Sequence, residues 1–123
     1  MLQKIVPKNL ARQLKIKGYN LPTYKAYSPE GNIYCCGDYI DYNNYKDILE
    51  WTSAPTYNEV LDYLINDLLY NISINYDSQL KVWRCIWRAL DDSSHISSVE
   101  TVRDYAIINL INRLYTVSYT HLT

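Results

Sequence analysis

The sequence predicts a small α+β protein, and three observations carry this prediction. In a central segment the spacing of apolar residues changes from the helical period of 3.6 to the strand period of 2 near Asn71. Two segments have the pattern of β-hairpins. Two further segments, one before and one after them, have apolar residues at helical spacing. A chain of 123 residues is typical of one domain. We therefore expect a single domain over residues 1–115, a small antiparallel sheet of about four strands packed with three helices, in the order α-β-β-α-β-β-α.

The N-terminal third predicts a helix followed by a hairpin. The helix begins at Asn9 or near Pro7, and Gly18 is placed as its C-terminal stop. Residues 24–27 and 33–36 are rich in strand-forming side chains, and the five residues between them include Pro and Gly. This arrangement indicates two strands joined by a turn.

The central helix has the clearest start signal in the chain. Thr56 and Glu59 have the three-residue spacing of a capping box. Pro55 disfavours a helical conformation of the residue before it, so the helix does not extend further toward the N-terminus. The expected buried face consists of Val60, Leu61, Leu64, Ile65, Leu68 and Leu69. We expect this helix to end near Tyr70 and to lead directly into a strand.

The C-terminal half predicts a second hairpin and a last helix. Residues 72–76 alternate in polarity and are separated by a short polar connection from a strand over residues 80–90. Residues 91–98 read as a polar loop. Ser97 and Glu100 repeat the capping-box spacing, which predicts that the last helix begins there.

The chain also resembles a set of small uncharacterised proteins from gut bacteria and their phages. The segments that carry the resemblance are LARQLKIKGYNLPTYKAYSPEGNI and SAPTYNEVLDYL, followed by the strand pair and the last helix, and together they cover most of residues 4–115. These segments are helix-boundary and turn signals, so the resemblance implies a fold and no activity. The ending TVSYTHLT resembles translated sequencing-adaptor readthrough, and we expect residues 116–123 to be a non-native or loosely ordered tail.

Charge is uneven along the chain. Residues 1–29 contain six Lys and Arg and no acid, whereas residues 30–79 contain nine acids and one Lys. The basic residues Lys8, Arg12, Lys15, Arg84 and Arg88 form a candidate surface for phosphate groups or an acidic partner. The alternative is that these cations are solvated, pack beside the chain's own acids, or cover the core with their stems.

A tyrosine-rich segment follows the first hairpin. Tyr39, Tyr42 and Tyr45 alternate there with acidic and amide residues. Tyrosine buries a large area on binding with little loss of rotamer freedom, so these three are candidate partner contacts. The alternative is ordinary packing in a chain that contains 14 tyrosines.

The sequence contains no recognisable catalytic or metal-binding pattern. The segment from Asp41 lacks the ligand spacing and the Gly of a calcium loop, and Asp91 with Asp92 reads as turn chemistry rather than a metal pair. Cys35, Cys36 and Cys85 have no motif that pairs them with a base, and His95 lies in a polar stretch. We expect no cofactor, no metal site and no catalytic residue.

These observations predict a non-catalytic protein-interaction or accessory protein of phage or mobile-element type. The expected partner is another protein or a second copy of the chain, and a nucleic acid is the alternative. No apolar run reaches membrane-spanning length, and the first ten residues lack the apolar core of a signal peptide. Three cysteines do not form a disulfide framework, so a cytoplasmic location is expected.

Overall fold

The structure is a computed structural model that describes residues 1–45 and 50–116, apart from the side chain of Cys36. Within these residues the chain forms three helices and two antiparallel sheets, which confirms the predicted α+β class. The order is α-β-β-β-α-β-β-β-α, with three strands in each sheet. The expectation of one sheet with about four strands is therefore corrected, because a third strand joins each of the two predicted hairpins.

The chain divides into two compact units. The N-terminal unit is Gln3–Thr56, and the C-terminal unit consists of Met1–Leu2 with the chain from Tyr57 onward. The single domain over residues 1–115 stays a prediction. The expected tail lies outside the described residues, except for Thr116, which belongs to the last helix.

Helix α1 (Lys8–Ile16) begins after Pro7 and buries Leu10, Ala11 and Leu14. It ends in a Schellman motif, in which the Gly18 N–H donates to the Lys15 carbonyl at 3.0 Å and the Tyr19 N–H donates to the Leu14 carbonyl at 2.9 Å. Gly18 has a φ of +95°, a conformation that glycine adopts without steric cost. The predicted stop is confirmed.

The first sheet has the strand order β2-β1-β3, with β1 at Thr23–Tyr27, β2 at Ile33–Ile40 and β3 at Thr52–Ser53. The turn between β1 and β2 is closed by the Ser28 N–H, which donates to the Asn32 carbonyl at 2.8 Å. The short strand β3 pairs with the other side of β1. The first predicted hairpin is thus confirmed, and β2 extends four residues beyond its predicted end.

The central helix starts where the sequence predicts and then changes type. Helix α2 (Tyr57–Asp62) begins directly after Thr56, and it continues as a π-helical segment over Tyr63–Asp67. In this segment the Leu68 N–H donates to the Tyr63 carbonyl five residues back, at 3.0 Å. Leu69 follows with a φ of +56°, so the chain leaves the helix through a left-handed residue that is not glycine.

The second sheet has the order β4-β5-β6, formed by β4 (Asn71–Asp77), β5 (Val82–Arg88) and β6 (His95–Glu100). Cys85 and Trp87 are buried on one face of the central strand β5, as the alternation predicts. Helix α3 (Arg103–Thr116) packs against β5 and β6. Its buried side chains are Ala106, Ile107, Leu110, Ile111, Leu114 and Tyr115.

The start of the last helix differs from the prediction. Ser97 and Glu100 belong to β6, and α3 begins at Arg103. The capping-box spacing is therefore accidental here, because β5 offers backbone hydrogen-bonding groups on both sides and β6 satisfies the second side. The Asn109 Nδ2 instead donates to the Glu100 Oε1 at 2.6 Å, which joins α3 to the end of the strand.

Candidate interaction surface

Four tyrosines of the N-terminal unit are about half exposed, and we refer to them as the exposed tyrosines. They are Tyr24, Tyr34, Tyr39 and Tyr45, whose exposed fractions lie between 46% and 60%. Three of them belong to the β1–β2 hairpin, and Tyr45 follows it. Two of the three predicted contact residues, Tyr39 and Tyr45, are thus accessible to a partner.

The geometry of the hairpin determines how these rings are arranged. The pairing of β1 with β2 is irregular, because the single residue of β1 between Thr23 and Lys25 lies opposite four residues of β2, 36–39. Gly37 lies in this irregular stretch with a φ of +84°. The rings of Tyr24 and Tyr39 are in contact, with centroids 4.5 Å apart and planes tilted by 42°. The two exposed rings therefore form one aromatic surface.

A second aromatic pair lies on the same sheet. The ring centroid of Tyr34 is 5.5 Å from that of Trp51, which directly precedes β3. Tyr34 lies opposite the buried Ala26 in the register of β1 and β2. Tyrosine and tryptophan are enriched in the centres of protein interfaces, so this composition is typical of a contact surface.

Tyr42 does not belong to this surface, which corrects the sequence-based prediction. Its side chain is only 2% exposed, and its hydroxyl donates to the Asp38 carbonyl at 2.5 Å. The neighbouring Asn43 is buried as well. The segment turns inward at these two residues, so Tyr42 contributes to the core rather than to a partner contact. The following residues 46–49, also part of the predicted tyrosine-rich segment, lie outside the described residues.

Charges of both signs lie near the exposed tyrosines. Lys25 of β1 and Asp38 of β2 are both exposed, and no ion pair joins them. Asp41 is engaged locally, because its carboxylate accepts hydrogen bonds from the Asn43 N–H at 3.1 Å and the Asn44 Nδ2 at 2.7 Å. Lys25 directly follows Tyr24 and Asp38 directly precedes Tyr39, so an exposed cation and an exposed anion adjoin the aromatic pair in the chain.

The predicted basic residues do not behave as one group. On α1, the Lys15 Nζ donates to the Trp51 carbonyl at 2.8 Å, and the Lys8 side chain passes close to Gly31 in the hairpin turn. Arg12 is exposed and has no ion pair within the described part of the chain. Of these three, Arg12 is the one most open to a ligand.

Arg84 and Arg88 lie on β5 in the C-terminal unit. The Arg84 guanidinium is 3.5 Å from the Asp77 carboxylate. This carboxylate also accepts hydrogen bonds from the N–H groups of Leu80 and Gln79, and these amides, with Leu80 first, lower the pKa of Asp77. Arg88 is exposed and forms no ion pair with any described residue.

The residues with chemistry of their own are dispersed. Cys35 is exposed on β2, and Cys85 is buried in β5, where burial raises the pKa of its thiol to about 11. His95 starts β6 and lies opposite Arg88. The Asp91 carboxylate accepts a hydrogen bond from the Ser93 N–H at 3.0 Å, which agrees with turn chemistry. Within residues 1–45 and 50–116 no three His, Cys, Asp or Glu side chains are grouped so as to hold a metal ion.

Comparison with known proteins adds no family to this description, since no family model, no curated protein and no solved structure matches the chain. Among the described residues, no helix combines the length and apolar character that crossing a membrane requires. Sequence reasoning missed Tyr24, although it lies in a predicted strand. Its position directly after the buried Thr23 was the available signal, and its exposure depends on strand pairing that the sequence does not display.

Proposed function

We propose that the chain is a non-catalytic protein-interaction protein of phage or mobile-element type, acting in the cytoplasm, and that its contact surface is formed by the exposed tyrosines. The observation that carries the proposal is the contact between two half-exposed rings, Tyr24 and Tyr39, on one hairpin. An exposed aromatic surface of this kind has apolar area to bury and hydroxyls to hydrogen-bond at its margin. Cys35, an exposed thiol without a disulfide, fits a reducing compartment.

The partner that fits this surface is a second copy of the chain. In a two-fold symmetric dimer the same surface is used twice, so each residue i that meets residue j is matched by a second contact of j with i. The exposed Lys25 and Asp38 adjoin Tyr24 and Tyr39 in the chain and carry opposite charges. A two-fold axis that passes between Lys25 and Asp38 brings the cation of one copy toward the anion of the other, whereas a like-charged surface repels its own copy.

The test is the mass of the protein in solution as a function of concentration, measured by sedimentation equilibrium. We expect the mass to rise from the 14.5 kDa of one chain toward twice that value. A double variant, Tyr24→Ala with Tyr39→Ala, should shift the transition to at least tenfold higher concentration, because tyrosines at the centre of an interface cost more than about 1 kcal/mol each when they are truncated.

The matched control is Tyr105→Ala. Tyr105 is a tyrosine of similar exposure on α3, in the other unit, and this variant should associate like the unsubstituted protein. A mass that stays at one chain up to millimolar concentration removes the second copy as the partner. Equal weakening by Tyr105→Ala removes the exposed tyrosines as the surface.

A second candidate function is nucleic-acid association through α1. The observation that favours it is the exposed Arg12 on a segment of six cations without an acid. Fluorescence anisotropy with mixed-sequence DNA and RNA should show binding that falls steeply with salt, because counterions are released from the phosphates. Arg12→Glu should weaken that binding, while Arg84→Glu, on the other unit, serves as the control. Absence of binding at low salt eliminates this candidate.

A further inference from the structure

A pocket of about 470 Å³ lies in the C-terminal unit, at the end of the second sheet. Its walls come from the chain that leaves the π-helical segment and from the end of β5 with the loop after it. Trp87 lies at the pocket and is buried, with its ring centroid 5.9 Å from that of Tyr70. This volume is within the range of pockets that hold small molecules.

Two leucines at the pocket are exposed to an unusual degree. Leu69 is 73% exposed and Leu90 is 98% exposed, and both line the pocket together with Leu68. Single exposed apolar residues are common on proteins. Here three leucines and a tryptophan line one concavity. An apolar ligand bound there would bury the surface of all four side chains together, which favours binding.

The backbone at Leu69 is strained as well as exposed. Its φ of +56° is in the left-handed region, which a leucine side chain adopts at a cost of about 1 kcal/mol and which glycine adopts freely. The π-helical segment that precedes it is a conformation found frequently at functional sites. A leucine at a position suited to glycine, with its side chain at a pocket, is a backbone outlier of the kind that clusters at ligand sites.

The charges at the pocket differ in their availability. Arg88 lines it, is exposed and has no ion pair with a described residue. Asp91 also lines it, but its carboxylate is held by the Ser93 N–H in the loop. Asp91 keeps its negative charge, because its hydrogen bonds with Ser93 lower the pKa of its carboxyl. Arg88 is the cation among the lining residues, and its planar fork matches a carboxylate.

We propose that this pocket binds a small monocarboxylate with an apolar body, the apolar part lying against Leu68, Leu69, Leu90 and Trp87 and the carboxylate meeting Arg88. The assignment follows from an apolar wall and one unengaged cation within a single concavity. It is independent of the exposed tyrosines, which lie in the other unit.

The test is titration calorimetry of the full chain with octanoate, using octanamide as the neutral probe of the same length. We expect saturable binding of octanoate at one site and at least tenfold weaker binding of octanamide, because a hydrogen bond between charged groups contributes more than one between neutral groups. Arg88→Ala should abolish this preference. Arg84→Ala, on the same strand, should retain it, because Arg84 is engaged with Asp77.

Leu69→Gly separates binding from folding. It removes part of the apolar wall and relieves the left-handed leucine, so we expect weaker octanoate binding together with an unchanged or higher midpoint of urea unfolding. The proposal is overturned by the absence of saturable heat from octanoate, by equal affinity for octanamide, or by the same loss of preference in Arg84→Ala and Arg88→Ala.

Discussion

Replacing Asn43 by alanine tests how the inward turn after the first hairpin is stabilised. The buried Asn43 side chain joins two backbone groups that are distant in sequence. Its Nδ2 donates to the Tyr19 carbonyl at 3.0 Å, and its Oδ1 accepts from the Ser53 N–H at 2.8 Å. Tyr19 and Ser53 are themselves buried, so neither group gains water directly when the amide is removed.

The magnitude follows from these two contacts. Each buried backbone group that loses its partner costs about 1–3 kcal/mol, so the loss of both in Asn43→Ala should reduce the free energy of unfolding by about 2–6 kcal/mol. Asn44→Ala is the matched control, because Asn44 is an exposed amide whose Nδ2 bonds only to the Asp41 carboxylate among the described contacts. We expect that control to stay within about 0.5 kcal/mol of the unsubstituted protein.

The assay is urea unfolding followed by circular dichroism, with the midpoint and the slope fitted separately. A lower midpoint at an unchanged slope reports a change in stability rather than in the unfolded state. If Asn43→Ala and Asn44→Ala unfold at the same midpoint, the buried amide does not hold the segment and the reasoning is refuted.

Three further predictions concern buried and strained groups. In a Cys36→Ser background, Cys35 should react with a thiol reagent at pH 8 at the rate of an exposed thiol, and Cys85 should react at least tenfold more slowly. Because burial raises the pKa of Cys85 to about 11, the free energy of unfolding should fall as the pH rises above the pKa of the unfolded thiol. Cys85→Ala should reduce that fall. Lys81→Gly should raise the free energy of unfolding by about 0.5–1 kcal/mol, since Lys81 has a φ of +55° in the β4–β5 turn, and a lower urea midpoint would contradict this. Ser53→Ala should be neutral or stabilising by up to about 1 kcal/mol in the same assay, because the buried Ser53 Oγ has no hydrogen-bond partner among the described residues, and a clear loss of stability would show that it has one.

Elements with strong local signals could be predicted from the sequence. Gly18 ends α1 because a left-handed C-cap is a property of the residue itself, and Thr56 with Pro55 sets the start of α2 for the same kind of reason. The strand β6 was not predictable in this way, since Ser97 and Glu100 match a helix cap locally. Their strand conformation depends on pairing with β5, which is a contact between distant residues.

The candidate surface shows the same division. The sequence marks Tyr39, Tyr42 and Tyr45 as equivalent, with similar neighbours and spacing. The structure buries the ring of Tyr42 and leaves the other two about half exposed. It also places Tyr39 against Tyr24, fifteen positions earlier in the chain. Exposure and ring contact arise from the irregular pairing of β1 and β2, so no local pattern distinguishes these tyrosines.

The sequence by itself determined the α+β class, the presence of three helices, the two hairpins, the end of α1 and the start of α2, because capping, turn chemistry and hydrophobic period act within a few residues. The tertiary structure decided the division of the strands into two sheets, the burial of Tyr42 and Asn43, and the grouping of Arg88 with Leu69 and Leu90 at one pocket. These features depend on backbone pairing and side-chain packing between residues that are far apart in the chain. Such residues meet only when the chain folds, so no local pattern in the sequence encodes their contacts.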